Sequence, residues 1–300
     1  MDDLFVIEQI TSANASKFLG LTYSHLASKL SQIEINDRLH AFGVSFFDAP
    51  VGLIYAVIRP DESVGKIESW YVAEEYRRRG VGEHLLATLE QVLKDHHCRN
   101  LELKYVKSAK ATEDSPIEAL LKKTRWDAPV PISVIFRCRN EHIKHARWLE
   151  IAVAFPSFHV FPWRDLTDED YHRLQQEQAQ SSWYPEDLSP LISDELEFEI
   201  DPDVSIGLRY QGKLIGWMIT RRLPQKTLLF YRTFICEEFQ QTGKGIILYA
   251  ESIKRMLGAG YIQGMFSIYA DKTELLRFLQ KMLGAYISET KIEYSVSKQI

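Results

Sequence analysis

Two short glycine-containing segments have residue types and spacing that suit the binding of a phosphate group. They run from Arg77 to Gly82 and from Gln240 to Gly245, and both follow the pattern Arg/Gln-x-x-Gly-x-Gly. Glycine lets the backbone turn its N–H groups toward a ligand, and a helix that begins at such a loop adds its unbonded N–H groups and the positive end of its dipole. This combination binds pyrophosphate. In the first segment three consecutive arginines add positive charge beside the loop.

One Gly-x-Gly before a helix is also typical of a simple tight turn. The presence of two copies favours a ligand site, because both lie between a predicted strand and a predicted helix and both have Arg or Gln three residues before the first glycine. Neither copy has the longer spacing of a Walker loop that ends in Gly-Lys-Ser/Thr. A Rossmann fingerprint is also a poor match, because the glycines follow the fourth predicted strand and not the first.

The elements that must position these loops alternate between the strand and helix periods, in the same order in each half of the chain. In the first half the predicted strands and helices cover residues 4–10 (strand), 12–33 (helix), 41–47, 51–58 and 66–72 (strands), 83–94 (helix), 101–105 (strand), 116–123 (helix) and 132–137 (strand). We therefore predict a mixed α/β (α+β) fold in which one domain plan occurs twice, over residues 1–150 and 151–300. The segment 140–150 is predicted to link the two domains.

Composition narrows the classes of function. Against 36 Lys and Arg stand 41 Asp and Glu, which gives a formal net charge of −5; this disfavours a nucleic-acid-binding protein, which needs a basic surface. The three cysteines are widely spaced, so neither a disulfide framework nor a metal site is predicted. The N-terminus lacks a signal-peptide pattern and no run of about 18 apolar residues occurs, so we expect a cytoplasmic protein that does not enter a membrane.

The segment from Ile67 to Leu86 resembles the acetyl-CoA motif of the GCN5-related N-acetyltransferase (GNAT) family. The resemblance occurs once in each half of the chain, and the two copies together cover nearly its whole length. It implies two tandem GNAT-like acyl-CoA N-acyltransferase domains, a layout similar to that of mycothiol synthases. It implies acetyl-CoA as the cosubstrate, bound where the fourth strand splays from the fifth. The residues that would line the acyl and pantetheine site are Tyr71 and Val72 in the first copy and Phe234 and Ile235 in the second. The residues that would hold the pyrophosphate are Arg77, Arg78, Arg79, Gly80, Val81 and Gly82 in the first copy and Gln240, Gln241, Thr242, Gly243, Lys244 and Gly245 in the second.

The resemblance also implies a mechanism in which an amine attacks the thioester while a base removes the amine proton and an acid protonates the leaving thiolate. Glu68 has the position where the family frequently has its carboxylate base; the alternative interpretation is a solvated carboxylate on a strand. The corresponding residue of the second copy is Tyr231, which cannot act as a carboxylate base. The family's usual acid is a Tyr on the helix after the fifth strand, and this chain has Leu121 there in the first copy and Leu or Gln in the second. Tyr105 and Tyr269, near the ends of the fifth strands, are possible substitutes; the favoured interpretation is that each packs with its ring buried and its hydroxyl near solvent.

The resemblance thus predicts an acetyl-CoA-dependent N-acetyltransferase that acts on an amine of a small molecule or a peptide and needs no metal. The basic loop and Glu68 favour the first copy as the active one. Two alternatives stay open: an acyl-CoA-binding module with weak or no turnover, and an aminoacyl transferase on the doubled GNAT fold. The two intact glycine loops and the lack of a broad basic surface count against the aminoacyl transferase. The acceptor itself does not follow from the sequence, because acceptor loops vary on a fixed scaffold.

Overall fold

A computed structural model describes all residues of the chain except 1–3, 32, 34–37, 60–62, 181–183, 186–187, 192–198 and 241. The chain divides into two compact units. Unit 1 consists of Met1–Ile132 together with Ile292–Ile300, and unit 2 consists of Ser133–Lys291. The strands and α-helices follow one another along the chain as β1 (Phe5–Gln9), α1 (Ala15–Phe18), α2 (Ser24–Leu30), β2 (Leu39–Phe46), β3 (Ala49–Ile58), β4 (Val64–Val72), α3 (Val81–Asp95), β5 (Asn100–Ser108), α4 (Pro116–Lys123), β6 (Val130–Arg139), α5 (Asn140–Ile143), β7 (Phe158–Pro162), α6 (Asp168–Gln180), β8 (Ile206–Tyr210), β9 (Lys213–Leu223), β10 (Thr227–Ile235), α7 (Glu237–Gln240), α8 (Ile246–Gly258), β11 (Gln263–Tyr269), α9 (Thr273–Leu283) and β12 (Ile287–Gln299).

The two units share one strand order. In unit 1 the order is β1-β2-β3-β4-β5-β12, and in unit 2 it is β7-β8-β9-β10-β11-β6. The first four strands of each series pair antiparallel, whereas the fourth and fifth pair parallel. The mixed α/β fold predicted from the sequence, with one plan in both halves of the chain, is therefore present.

The sixth strand of each unit comes from the other half of the sequence. Residues 133–139 of β6 belong to unit 2, and residues 292–299 of β12 belong to unit 1. The compact units therefore do not divide at residue 150. The predicted linker is also part of unit 2, because Ile143, Ala146 and Leu149 are buried in its core. Residue 150 remains a prediction of where one sequence repeat ends, not a border between compact units.

The strands of unit 1 bury apolar side chains on both faces of the sheet. Along β3, Ile54 and Ala56 belong to the cluster under α3 and α4, whereas Leu53 and Tyr55 belong to the cluster with α1 and α2. This alternation follows from the two-residue period of a strand. The α1–α2 face and the α3–α4 face are thus the two sides of the unit 1 sheet, and the glycine loop leads into the helix α3 on the second side.

Within the described part of the chain, no helix has the length and apolar character needed to span a membrane. The described residues also contain no group of three or more His, Cys, Asp or Glu side chains placed to hold a metal ion.

Candidate active site

An opening lies beside the carboxyl-terminal part of the fourth strand in each unit. In unit 1 the parallel ladder ends at Ile67 on β4 and Leu103 on β5, although β4 continues to Val72. In unit 2 the equivalent ladder ends at Phe230 on β10 and Phe266 on β11. Beyond these residues the two strands no longer pair with each other, so backbone groups of the fourth strand are left for another partner.

A β-bulge marks the start of each opening. The pairing of β4 with β3 shifts register between Ile67 and Ser69, so Glu68 is the extra residue. The pairing of β10 with β9 shifts in the same way around Tyr231. A bulge bends its strand and redirects a side chain, and bulges are common beside functional sites. Glu68 and Tyr231 therefore hold equivalent places in the two units.

Glu68 is a half-buried carboxylate on the α1–α2 face. Its Oε1 accepts a hydrogen bond from Nζ of Lys66 at 2.6 Å. Beside it, the fully buried Tyr55 has a hydroxyl without a hydrogen-bond partner among the described residues. Burial, together with the negative charge of Glu68, raises the pKa of Tyr55 to about 12. The hydroxyl of Thr22 donates to the hydroxyl of Ser69 at 3.0 Å and joins the segment between α1 and α2 to this part of β4.

The last residue of β4 directs its backbone toward the opening. The N–H of Ala73 donates to the carbonyl of Val51 on β3 at 2.8 Å. Because successive peptide groups of a strand point to opposite sides, the N–H and C=O of Val72 point away from β3 and into the opening. The carbonyl oxygen of Val72 accepts a hydrogen bond from Nε of Arg77 at 2.9 Å. The amide of Val72 is thereby positioned as a hydrogen-bond donor for a ligand.

Unit 2 repeats this arrangement with a different side chain. The N–H of Cys236 donates to the carbonyl of Ile215 at 2.8 Å, and Nε2 of Gln240 donates to the carbonyl of Ile235 at 2.9 Å. Arg77 and Gln240 share a long side chain with an N–H donor but do not share a charge. Both side chains hold the end of a strand. The sequence alone did not predict this role, although the occurrence of Arg in one copy and Gln in the other at the same motif position was a signal for it.

The first glycine loop presents backbone donors at the start of α3. Gly80, the N-cap of α3, has a φ of +82°, a value that side chains disfavour. The amide of His84 donates to the carbonyl of Gly80 at 3.0 Å. The amides of Val81, Gly82 and Glu83 come before this hydrogen bond, at the positively polarised end of the helix. A pyrophosphate fits these donors.

Gly82 is tightly enclosed beneath this helix end. A Cβ atom at Gly82 would lie 3.1 Å from Cδ2 of Leu120 and 3.7 Å from Nε1 of Trp70. A side chain here would therefore displace its neighbours or enter the space next to the α3 amides.

The arginines beside the first loop are exposed and differ in their contacts. Arg77 holds the end of β4, as described above. Arg79 lies with its guanidinium carbon 5.5 Å from the centroid of the Tyr76 ring. Arg78 has a φ of 61°, in the left-handed region that few residues other than glycine adopt. Arg78 and Arg79 bring positive charge close to the backbone donors of the loop.

The second loop resembles the first but engages more of its own side chains. Gly243 has a φ of +74°, as Gly80 does in the first loop. Nζ of Lys244 lies 3.6 Å from the centroid of the Phe155 ring, a cation–π contact. The hydroxyl of Thr242 donates to the carbonyl of Phe239 at 2.7 Å. Both polar side chains therefore already have partners within unit 2.

The helix α8 begins later than α3 relative to the shared motif. It starts at Ile246, with Gly245 as its N-cap. The amides of Ile246 and Ile247 bond to the carbonyls of Gly243 and Lys244 at 3.3 and 3.0 Å, which gives a tight first turn. Gln241 lies outside the described residues.

Tyr71 and Phe234, which occupy equivalent positions before the two glycine loops and are both predicted to line an acyl site, differ in exposure. Tyr71 in unit 1 is 39% exposed, whereas Phe234 in unit 2 is 5% exposed. Phe234 packs against Trp217 with ring centroids 4.9 Å apart and against Tyr184 at 6.1 Å. In unit 1 this position offers a side chain to a ligand; in unit 2 it is part of an aromatic core.

The candidates for a general acid are not equivalent. Leu121 is buried and carries no proton to donate. The hydroxyl of Tyr105 lies 3.2 Å from Oε1 of Glu118, and burial together with the negative charge and hydrogen bonding of Glu118 raises the pKa of Tyr105. The hydrogen bond to the carboxylate of Glu118 therefore keeps the phenol of Tyr105 protonated. Tyr269 in unit 2 is exposed.

Comparisons with known proteins match part of the sequence and the whole fold. Residues 8–112 match the family model described as Acetyltransferase (GNAT) family. No curated protein matches the sequence. A solved structure described as a tandem GNAT protein from the clavulanic acid biosynthesis pathway is similar over 98% of both chains, with a TM-score of 0.68 and 12% identity. A GCN5-related N-acetyltransferase from Sphaerobacter thermophilus is similar over 100% of this chain and 96% of its own, with a TM-score of 0.60 and 13% identity.

Proposed function

We propose that this chain, which matches the GNAT acetyltransferase family model over residues 8–112 and has a tandem GNAT fold, transfers an acetyl group from acetyl-CoA to an amine, with unit 1 as the catalytic unit. The amine belongs to a small molecule or a peptide. One observation carries the proposal. In unit 1, β4 has both the carboxylate of Glu68 and the amide of Val72 that points into the opening, and it leads through the glycine loop to the backbone donors at the start of α3.

The binding part of the proposal rests on the glycine loop. The amides of Val81, Gly82 and Glu83 would hold the pyrophosphate of the cosubstrate, with Arg78 and Arg79 close enough to add charge. The pantetheine arm would run along the unpaired edge of β4, past Val72. Bound there, acetyl-CoA supplies an acetyl group on a thiol leaving group.

The chemical part assigns two roles to this chain's own groups. The amide of Val72 donates to the thioester carbonyl oxygen, where negative charge develops as the amine adds. Glu68 takes a proton from the attacking amine, directly or through one water, as the new N–C bond forms; the C–S bond then breaks and the CoA sulfur leaves as the thiolate. Lys66 holds Oε1 of Glu68 and so fixes the orientation of the carboxylate. Tyr71, on the same strand as Glu68, lines the space where the amine would bind.

Unit 2 is proposed to bind a ligand without catalysing the same step. It has Tyr231 in place of the carboxylate, and Phe234 is buried where Tyr71 is exposed. Its glycine loop keeps the left-handed Gly243 and the support of the strand end by Gln240. This combination supports acyl-CoA binding with little or no turnover in unit 2.

The proposal is tested by the amine-dependent release of free thiol from acetyl-CoA. The purified chain is assayed against a panel of amines that includes amino sugars, polyamines, amino acids and peptides with a free N-terminus. Amine-dependent thiol release above the level without protein supports the proposal. Saturable binding of acetyl-CoA with no release for any amine would instead favour a binding module.

A further inference from the structure

Tyr55 places a hydroxyl group in the interior of unit 1, beside the proposed base. Its side chain is fully buried, and its hydroxyl has no hydrogen-bond partner among the described residues. A buried polar group that makes no hydrogen bond destabilises the fold, and tyrosine hydroxyls inside proteins usually have a partner. The hydroxyl of Tyr55 therefore needs a partner in the working protein.

The pairing of β3 with β4 brings Tyr55 and Glu68 together. Tyr55 lies opposite Ser69, and the register shift there makes Glu68 the extra residue of the bulge. In a bulge two residues of one strand oppose one residue of the next, so Glu68 and Ser69 together face Tyr55. Burial and the negative charge of Glu68 raise the pKa of Tyr55 to about 12, so its phenol keeps its proton at neutral pH. Tyr55 is thus a hydrogen-bond donor next to a carboxylate.

Only one oxygen of the Glu68 carboxylate has a donor among the described residues. Nζ of Lys66 donates to Oε1 at 2.6 Å, whereas Oε2 accepts no hydrogen bond from a described residue. The hydroxyl of Ser69 accepts a hydrogen bond from Thr22 at 3.0 Å, so its own proton can go to a second partner. A water between Tyr55, Ser69 and Oε2 of Glu68 would have the three polar partners that are typical of buried waters.

We propose that Tyr55 is a positioning residue for Glu68, and that its hydroxyl donates a hydrogen bond to Oε2, directly or through one water that Ser69 also holds. Lys66 and Tyr55 then hold the two oxygens of one carboxylate and fix its orientation. A hydrogen bond to the ionised form also stabilises that form, so the base is able to accept a proton at a lower pH. The inference rests on the proposed function of Glu68 as the base.

The other titratable side chains on this face bear on a test by pH. The segment 19–23, between α1 and α2, has Tyr23 but no charged residue. On β5, Glu102 lies opposite Lys66 and is paired with Arg59 at 2.7 Å. By alternation along the strands, the titratable groups on this face are those of Lys66 and Tyr71 on β4 and of Glu102 and Lys104 on β5, together with Tyr23 and Arg59. All of them are kept in Tyr55→Phe, so a shift of the profile in this variant reports on the hydroxyl.

The first test is the pH profile of kcat/KM in Tyr55→Phe, which removes only the hydroxyl. We expect the acid-side limb to move to higher pH by about one unit, a tenfold change in the ionisation equilibrium, because the ionised base loses a donor. The KM for acetyl-CoA should not change. The matched control is Tyr184→Phe in unit 2, which removes a buried hydroxyl that donates to the carbonyl of Leu174 at 3.1 Å. It should lower stability and leave the profile unchanged.

The second test needs no turnover. Urea unfolding at pH 7 is measured for the wild type, Tyr55→Phe, Glu68→Ala and the double variant. We expect loss of the hydroxyl to raise the unfolding equilibrium constant about fivefold or more in the presence of Glu68, and less than about twofold in the Glu68→Ala background. A hydroxyl without a partner gives the opposite sign, because its removal would leave the chain as stable as the wild type or more stable.

An unshifted acid-side limb in Tyr55→Phe, or an equal change of unfolding in both backgrounds, would overturn the inference. If Glu68→Gln abolishes turnover while Tyr55→Phe keeps the wild-type profile, only the inference falls and the proposed function stands. If no amine gives turnover, the proposed function falls, and the unfolding comparison still supports or overturns the contact between Tyr55 and Glu68.

Discussion

Arg77 donates from Nε to the carbonyl oxygen of Val72 at 2.9 Å. The contact connects the first residue of the glycine motif to the last residue of β4, and Gln240 makes the same contact with Ile235 in unit 2. The hydrogen bond fixes the peptide group whose neighbouring amide faces the opening. Arg77 is thus placed to position the site through Val72, while its charge is a separate contribution.

Replacement of Arg77 separates these two contributions. Arg77→Ala removes both, and we expect acetyl-CoA affinity in unit 1 to fall by about 2- to 10-fold, as for the loss of a hydrogen bond worth about 0.5–1.5 kcal/mol. Arg77→Gln should recover most of the affinity, because Gln240 performs this role in unit 2. Calorimetric titration with CoA measures both. If Arg77→Gln is as weak as Arg77→Ala, the charge and not the hydrogen bond is what matters.

Bulky residues at the second glycine of each motif should show which unit catalyses the reaction. Gly82→Leu fills the space beside the start of α3, where even a Cβ would lie 3.1 Å from Leu120, and we expect it to abolish amine-dependent turnover. Gly245→Leu is the matched control in unit 2, where a Cβ would make an ordinary 3.8 Å contact with Ile235. It should leave turnover intact. The reverse pattern would place the chemistry in unit 2.

Replacement of the proposed base should change the pH profile. Glu68→Gln keeps the size of the side chain but cannot accept a proton, so kcat should fall by about 100- to 10,000-fold while the KM for acetyl-CoA changes little. The acid-side limb of the kcat/KM profile should disappear at the same time. Tyr231→Phe in the equivalent place of unit 2 should have neither effect. Retention of the wild-type profile in Glu68→Gln would remove Glu68 from this role.

A half-buried carboxylate of α4, that of Glu118, should make the stability of the chain depend on pH. Burial by itself would raise the pKa of Glu118, but hydrogen bonds from Lys107 and Ser115 lower it to about 2. Because the pKa is lower in the folded state than in the unfolded state, Glu118 stabilises the fold above the unfolded value of 4.5 and loses this effect as the pH falls toward 2.

The variant Glu118→Gln reports on this contribution. At pH 7 its free energy of unfolding should be about 1–3 kcal/mol lower than that of the wild type. The difference should narrow as the pH falls below about 4.5. Urea titrations at several pH values measure it. A difference that stays constant from pH 7 to pH 3 would show that Glu118 acts through packing and not through its charge.

Local pattern was sufficient to predict most elements of the fold. The glycine loops follow strands that end at Val72 and Ile235, as the sequence indicates, because apolar runs and glycine are local signals. The exchange of β6 and β12 between the units was not predictable in this way. The apolar pattern of a strand shows that it is buried but not which sheet it joins, so the predicted border near residue 150 does not follow the compact units.

The sequence singled out the residues of the candidate site but could not predict their contacts. Glu68 and Tyr231 align in the sequence, yet the bulge that makes them equivalent depends on the pairing register with a neighbouring strand. The contrast between Tyr71 and Phe234 depends on packing, since Tyr184 and Trp217 reach Phe234 from distant parts of the chain. Such tertiary contacts leave no periodic signal in the sequence.

A crystal structure of the chain with acetyl-CoA tests the central claim most directly. We predict that the pyrophosphate lies on the amides of Val81 to Glu83 and that the thioester carbonyl oxygen accepts a hydrogen bond from the amide of Val72, at the usual N–H···O distance of about 2.7–3.2 Å. The carboxylate of Glu68 should face the thioester carbon from the side where the amine would bind. Density for acetyl-CoA in unit 2 alone, or in unit 1 with the thioester remote from Val72, would contradict the account.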